Sequence, residues 1–233
     1  MNRDKDLFAV KKRQLGEVQM YIDEGDTMQF ESVGYYIALG TEKECAMAPL
    51  KYIKKNDVCV IAGGCVGYFP LILADHFKHL YTFEPDPTNF YCLVNNVPQP
   101  NVIKSQFGLG HKKQNLSMIV DHSFSGMNHV DPSTNDGNIR VIQLDDLELE
   151  NCDMITYDME GFEYEALLGS EKTIKRCRPV LSIAFEGHHE RYGTPAQKVF
   201  DYITKELNYV AVEKSHLDLI FIPNENLNES KPR

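Results

Sequence analysis

Apolar positions in this chain fall into short runs, separated either by turn residues or by stretches with helical spacing. Near the N-terminus Leu7, Val10, Leu15, Val18, Tyr21 and Ile22 recur at roughly helical intervals, which predicts a helix with Gly16 as its weak point. Residues 42–53 also read as helical. From Asp57 onward strands and helices alternate. Val58–Ala62 is apolar throughout and runs into glycines, as expected of a buried parallel strand. A helix over 67–77 and a strand over 80–84 follow. Asp86 is placed to cap the next helix, with Pro87 at its first position and Pro98 beyond its end. Further strands are predicted at 102–106, 139–144, 153–158 and 179–185, with an extra one at 116–120. A helix is predicted over 162–176. Thr194-Pro195-Ala196-Gln197 reads as a capping box that opens a helix reaching Leu207. Two strand candidates, 209–213 and 217–222, close the chain.

This alternation predicts an α/β fold with a doubly wound, mainly parallel sheet. The two adjacent final strands predict an antiparallel hairpin at one edge. A nicotinamide-binding Rossmann domain would ordinarily continue its βαβ rhythm there, so the ending discriminates. Residues 1–56 are expected to be a helical or irregular elaboration on a domain spanning 57–233.

Composition narrows the possibilities. At 233 residues the chain can bury a core without disulfides or metals. Its six cysteines are scattered, with no CxxC pair and no Cys/His spacing of a zinc site, which suits a reducing, cytoplasmic setting. The N-terminus lacks the apolar stretch of a signal peptide, and no run approaches the ~18 apolar residues of a membrane span. A net charge of −10 argues against nucleic acid as the main partner. The short basic clusters at Lys11–Arg13, Lys54–Lys55 and Lys112–Lys113 read as solvated faces.

Three constellations carry chemistry. In Gly63-Gly64-Cys65-Val66-Gly67, between a strand and a helix, glycine admits a ligand close to the backbone and allows positive φ. The helix N–H groups behind it face an anionic or carboxylate-bearing ligand. Glu84 ends the next strand, 21 residues after Gly63, a separation that suits a carboxylate accepting the ribose hydroxyls of a nucleotide-like cofactor. Asp158, Glu160 and Glu163 cluster where the strand at 153–158 meets a helix. Three carboxylates there need solvent, hydrogen bonds or a cation, although acids at a helix start also complement its dipole.

Taken in order, these pieces resemble the FkbM family of S-adenosylmethionine-dependent methyltransferases. The resemblance runs from about Asp57 to Glu186. It is carried by GGCVGYF (Gly63–Phe69), TFEPDPTNF (Thr82–Phe90), Leu93 with Asn95, IQLDDL (Ile142–Leu147), DMITYDMEGFEYEALLGS (Asp153–Ser170) and the RPVLSIAFE that leads to Glu186. It implies a Rossmann-like class I methyltransferase domain with S-adenosylmethionine as cofactor. Gly63, Gly64, Cys65 and Gly67 would border the methionine part, Glu84 would bind the ribose, Asn89 would support that loop, and Phe107 and Gly108 would line the adenine. It further implies O-methylation of a sugar or another small hydroxylated acceptor. The chain departs from the family pattern at Ile61, where an acid is usual, at Cys65, where asparagine is common, and at Thr156, where lysine is frequent.

Transfer to a neutral hydroxyl needs a base. Glu160 is the first candidate, followed by Asp158 and by His188 on the loop after Glu186. No metal ligand set is assigned, the alternative being Mg²⁺ or Ca²⁺ held by Asp158 and Glu160. No DPPY-like segment or Pro-Cys pair is present, which disfavours base methylation. An NAD-dependent oxidoreductase and a non-catalytic binding module on the same scaffold are the rival readings. The acceptor pocket is expected from the N-terminal segment, the 108–138 stretch and the loop after Phe185.

Overall fold

The first elements correct the helix expected at the N-terminus. The computed structural model describes residues 10–28, 31, 33–134 and 136–227, so Leu7 lies outside the described residues. β1 (Val10–Leu15) and β2 (Val18–Asp23) form an antiparallel hairpin. Gly16, at φ +55°, supplies the positive φ that such a tight turn needs. The second arm follows the two-residue period of a strand, with Val18, Met20 and Ile22 on one side and Met20 and Ile22 fully buried. These pack with Ile37, Val66 and Cys92 in a small core of their own.

α1 (Gly34–Leu39) and α2 (Thr41–Met47) lead, through a short 3-10 turn, to β3 (Val58–Ala62). After β3 come α3 (Tyr68–Leu73), β4 (His79–Phe83), α4 (Pro87–Asn96) and β5 (Val102–Ser105). Asp86 caps α4 as its sequence predicts, accepting from the amides of Thr88 at 2.9 Å and Asn89 at 2.8 Å. Short strands β6 (Gly108–Leu109), β7 (Gln114–Ile119), β8 (His129–Asp131) and β9 (Ile139–Ile142) form a separate small sheet.

The main sheet resumes with β10 (Met154–Tyr157). The helix expected over 162–176 is two, α5 (Glu163–Leu168) and α6 (Glu171–Cys177), broken at Gly169-Ser170. β11 (Val180–Ala184) and α7 (Ala196–Asp201) follow, and a π turn carries the chain to Leu207. The capping box at its start is absent. Pro195 occupies the N-cap with no side-chain bond, and Gln197 donates to Asp201 instead. β12 (Tyr209–Ser215) and β13 (Asp218–Pro223) make the expected terminal hairpin.

The seven-stranded sheet has the order β12-β13-β11-β10-β3-β4-β5. The last five of these run parallel, and β13 is antiparallel to β11. β3, β10 and β11 are buried along their whole length because helices cover both faces, which is why they read as unbroken apolar runs. Among the described residues no helix is long and apolar enough to cross a membrane.

Removing the α4 cap tests the local account. Asp86→Ala is expected to lower unfolding stability by about 1 kcal/mol in urea titrations. An unchanged midpoint would show that the cap contributes nothing.

Candidate active site

The chain leaves β3 toward β4 and β5, then returns to lay β10 on the other side of β3. A crevice is expected outside the carboxyl ends of strands at such a reversal. A cavity of about 510 Å³ lies there, within the ~300–1,000 Å³ usual for small-molecule sites.

The glycine turn forms one side. The amides of Gly63 and Gly64 both donate to the Phe83 carbonyl, at 3.1 and 3.0 Å, tying the turn to the end of β4. Gly63 has φ +85°, and a Cβ there would stand 1.7 Å from the carbonyl oxygen of Asp158. This glycine is therefore demanded by neighbouring backbone, not only by room for a ligand. Gly63, Gly64 and Cys65 line the cavity, as do Ile61 and Thr156, the positions where the family pattern is broken. Gly67 is not among the described residues that line it. It precedes α3 and packs against Leu93 and Val97 of the α4 region.

Glu84 is 5% exposed and lines the same side. Its Oε2 accepts from the Cys65 amide at 2.8 Å and its Oε1 from the Asp86 amide at 2.9 Å. Burial pushes its carboxyl up to about 8, against the pull of these two N–H donors. Asn89 lies deeper, donating from Nδ2 to the Ser125 carbonyl at 3.2 Å, while its buried Oδ1 has no hydrogen-bond partner. Phe107 and Gly108 also line the cavity, beside Leu109 and Met118.

Carboxylates crowd the other side. Asp158 follows β10, Glu160 and Glu186 follow in the loops after β10 and β11, and Asp218 opens β13 opposite Ala184. Asp158 lines the cavity and is exposed there, with protein crowded around it. Enclosure, together with Asp218 and Glu186, holds its carboxyl well above the ordinary range. Glu160 has φ +56°, and its Oε2 lies 2.7 Å from His188 Nδ1 and 3.1 Å from Arg191 Nη1. Burial raises its pKa to about 7 even though Arg191 opposes the shift.

His188 does not line the main cavity. It stands behind Glu160 in a small adjoining crevice, and burial followed by the Arg191 charge lowers its pKa. Glu163 is 1% exposed and turned inward. It accepts from the amides of Met159 at 2.7 Å and Gly161 at 3.2 Å and pairs with His189, bracing the loop that displays Asp158 and Glu160. Among the described residues one group, Glu160, Glu186 and His188, brings three potential metal donors within 4.8 Å of one another. The Asp158–Glu160 pair suggested by the sequence is not part of it.

Sequence reasoning missed Glu42 and Asp218. Glu42 reads as an ordinary acid in the first turn of α2, yet it lines the cavity with its carboxyl raised to about 7 by burial, Asp218 and Glu186. Asp218, at about 6, accepts from Ser182 Oγ at 2.8 Å. An acid at the head of an apolar strand was the available signal. The three segments expected to build an acceptor pocket do reach the cavity, through Tyr36, residues 124–130 and Glu186.

A family model, that of the methyltransferase FkbM domain, matches residues 61–211. The chain belongs to the FkbM methyltransferase family. The solved FkbM methyltransferase of Methylobacillus flagellatus KT aligns with 86% of this chain and 55% of its own length, at 15% identity and a TM-score of 0.50. This chain thus spans about half of that relative, and the likeness is one of fold. The N-methyltransferase NodS from Bradyrhizobium japonicum WM9 aligns over 78% of this chain and 94% of its own, at 11% identity and a TM-score of 0.46. M. jannaschii TYW2, solved in complex with AdoMet, aligns over 93% of this chain and 87% of its own, at 15% identity and a TM-score of 0.45. No curated protein matches this FkbM-family chain.

The cavity acids make stability depend on pH in a defined direction. Glu42, Glu84, Glu160 and Asp218 have folded pKa values of about 7, 8, 7 and 6, above their ordinary 4.5, 4.5, 4.5 and 3.8. Over that interval the folded state holds more protons than the unfolded chain, so stability falls as pH rises. The melting temperature of the ligand-free protein is expected to drop from about pH 5 to about pH 8. The Glu42→Gln/Asp218→Asn variant should flatten the profile. A melting temperature that climbs across this range would contradict the assignment.

Proposed function

We propose that this protein is an S-adenosylmethionine-dependent O-methyltransferase acting on a sugar or another small hydroxylated acceptor. One observation carries the reading: in an FkbM-family chain, the buried Glu84 carboxylate joins the glycine turn to the cavity and keeps lone pairs to spare. Each of its oxygens holds a single backbone N–H, and a carboxyl keeps hydrogen-bonding capacity beyond those two bonds in either protonation state. A ribose diol would fill the remainder.

The other residues fit that group. Asn89 Oδ1, buried and unpartnered, offers a further acceptor near the same end. Phe107 and Gly108 would flank the adenine, while Gly63, Gly64 and Cys65 would border the methionine portion. Gly67 acts at one remove, by seating α3. Residues 57–233 would form the cofactor-binding domain, and 1–56 an elaboration that closes the cavity through Val33, Tyr36 and Glu42. When bound, the cofactor supplies a methyl group on a cationic sulfur, and the protein's task is to align an oxygen behind it.

Glu160 would take the proton from the acceptor hydroxyl. A carboxyl near pKa 7 is matched to that work at neutral pH. Arg191 and His188 hold its Oε2, so His188 is a positioning residue and not the base. Asp158 would face the acceptor from the same side of the cavity. Nucleic acid is disfavoured as acceptor because the chain carries −10 and no Lys or Arg is among the described residues lining the cavity. Free cysteines suit a cytoplasmic setting.

Ligand-induced thermal stabilisation tests the cofactor. S-adenosylhomocysteine at about 100 times its dissociation constant should add roughly 2.7 kcal/mol of apparent stability. Glu84→Ala should abolish that gain while leaving circular dichroism unchanged, whereas stabilisation by NAD alone would overturn the proposal. Glu160→Gln is expected to slow methyl transfer by about 10²–10⁴-fold with cofactor affinity retained. Full activity in that variant would remove Glu160 from the chemistry.

A further inference from the structure

The described residues lining the cavity include six carboxylates (Glu42, Glu84, Asp158, Glu160, Glu186 and Asp218) and not one Lys or Arg. Two of the six are accounted for. Glu84 is spanned by backbone amides, and Glu160 is paired with Arg191 and His188. Glu186 has His188 only at 3.8 Å. That leaves Glu42, Asp158 and Asp218, with Glu186 beside them, as an acidic wall with no Lys or Arg facing it; His129 and His216 are the basic side chains among the described residues lining the cavity, and Asp218 has the Ser182 hydroxyl. The cofactor invoked above brings a sulfonium, an ammonium and a carboxylate, a net charge of +1, which balances one of them. Crowding the rest into one cavity as ions is costly without a further cation. Without one, burial and their mutual repulsion push their carboxyls upward.

A second observation lies in the same wall. Thr156 is on β10, two residues before Asp158, and both line the cavity. Thr156 is 2% exposed, and its hydroxyl has no hydrogen-bond partner. Buried hydroxyls are normally satisfied, so this one awaits a donor or acceptor that a ligand would bring.

We infer that the methyl acceptor carries a protonated amine besides its hydroxyl, and that Glu42, Asp158 and Asp218 bind the ammonium while Glu160 meets the hydroxyl. The inference rests on the methyltransferase reading and names its substrate class, with amino sugars and amino alcohols as members. Spacing favours an organic cation over a metal ion. Oxygen ligands sit within about 2.6 Å of Ca²⁺ or Mg²⁺, so donors that share an ion lie close together. Among the described residues Glu42, Asp158 and Asp218 do not form such a set; the group that does, Glu160, Glu186 and His188, already has Arg191 bonded to it. An ammonium reaches its partners through N–H bonds and tolerates the wider ring.

Calorimetry on the full chain saturated with S-adenosylhomocysteine tests this. Glucosamine and ethanolamine would be titrated against N-acetylglucosamine and ethylene glycol, in wild type and in Asp218→Asn and Glu42→Gln. The amines are expected to bind at least tenfold more tightly than their neutral counterparts, about the effect of 1.4 kcal/mol. Each substitution should erase most of that preference while S-adenosylhomocysteine still binds. Both variants put a neutral amide of the same shape in place of a carboxyl whose ionised form the cavity disfavours, so they are expected to fold. Equal binding of the two sets, or no binding of the amines, overturns the inference and leaves the cofactor reading standing. Competition by CaCl₂ or MgCl₂ that is lost in the same variants also overturns it, in favour of a metal. Failure of S-adenosylhomocysteine to bind removes the underlying reading and this inference with it.

Discussion

The backbone of Gly63 lies against the carbonyl of Asp158, and that approach sets the spacing between the two halves of the site. The Asp158 amide donates to the Ala62 carbonyl just before it, extending the parallel pairing of β3 and β10 by one more bond. The turn that carries Glu84's amide partner and the loop that carries Asp158 and Glu160 are therefore parts of one rigid junction. Any side chain at 63 would push them apart. The crevice exists because strand order reverses at this junction, so no crossing helix fills the space above it.

The two sides of that junction treat charge differently. On the glycine side a single acid is held by two main-chain donors, which give it partners out of water. On the far side several acids face one another with few donors between them. The fold accepts this strain locally and compensates elsewhere. Apolar contacts from β3, β10 and β11 bury the middle of the sheet completely, and Glu163 braces the loop below the acids. Such an arrangement stores destabilisation where a ligand can relieve it, as functional sites commonly do.

The N-terminal hairpin and the terminal β12–β13 hairpin extend the site beyond the parallel core. Asn96 of α4 ties the first hairpin down, exchanging hydrogen bonds with the backbone of Tyr21 at 2.6 and 2.8 Å and donating to the Val66 carbonyl at 2.7 Å. The α1–α2 segment that follows brings Tyr36 and Glu42 to the cavity. At the other edge, β13 runs against β11, so its first residue, Asp218, arrives where β11 ends.

The order of strands and helices from Val58 onward was legible in the chain because buried parallel strands are apolar throughout and their turns hold glycine, proline or a capping acid. Glu84 and Asp158 were legible for a related reason: each is an acid at the end of such a run. The N-terminal hairpin was not, because Val10, Leu15, Val18 and Ile22 fit a helical spacing almost as well as two strands, and only packing against α4 selects between them. Glu42 and Asp218 lie far apart in sequence from the acids they face, in segments that look like an ordinary helix start and a hairpin turn. Local pattern could place each one on an element; only the antiparallel last strand and the path of α2 could bring them into one cavity. There, burial raises the pKa that an isolated peptide would leave alone.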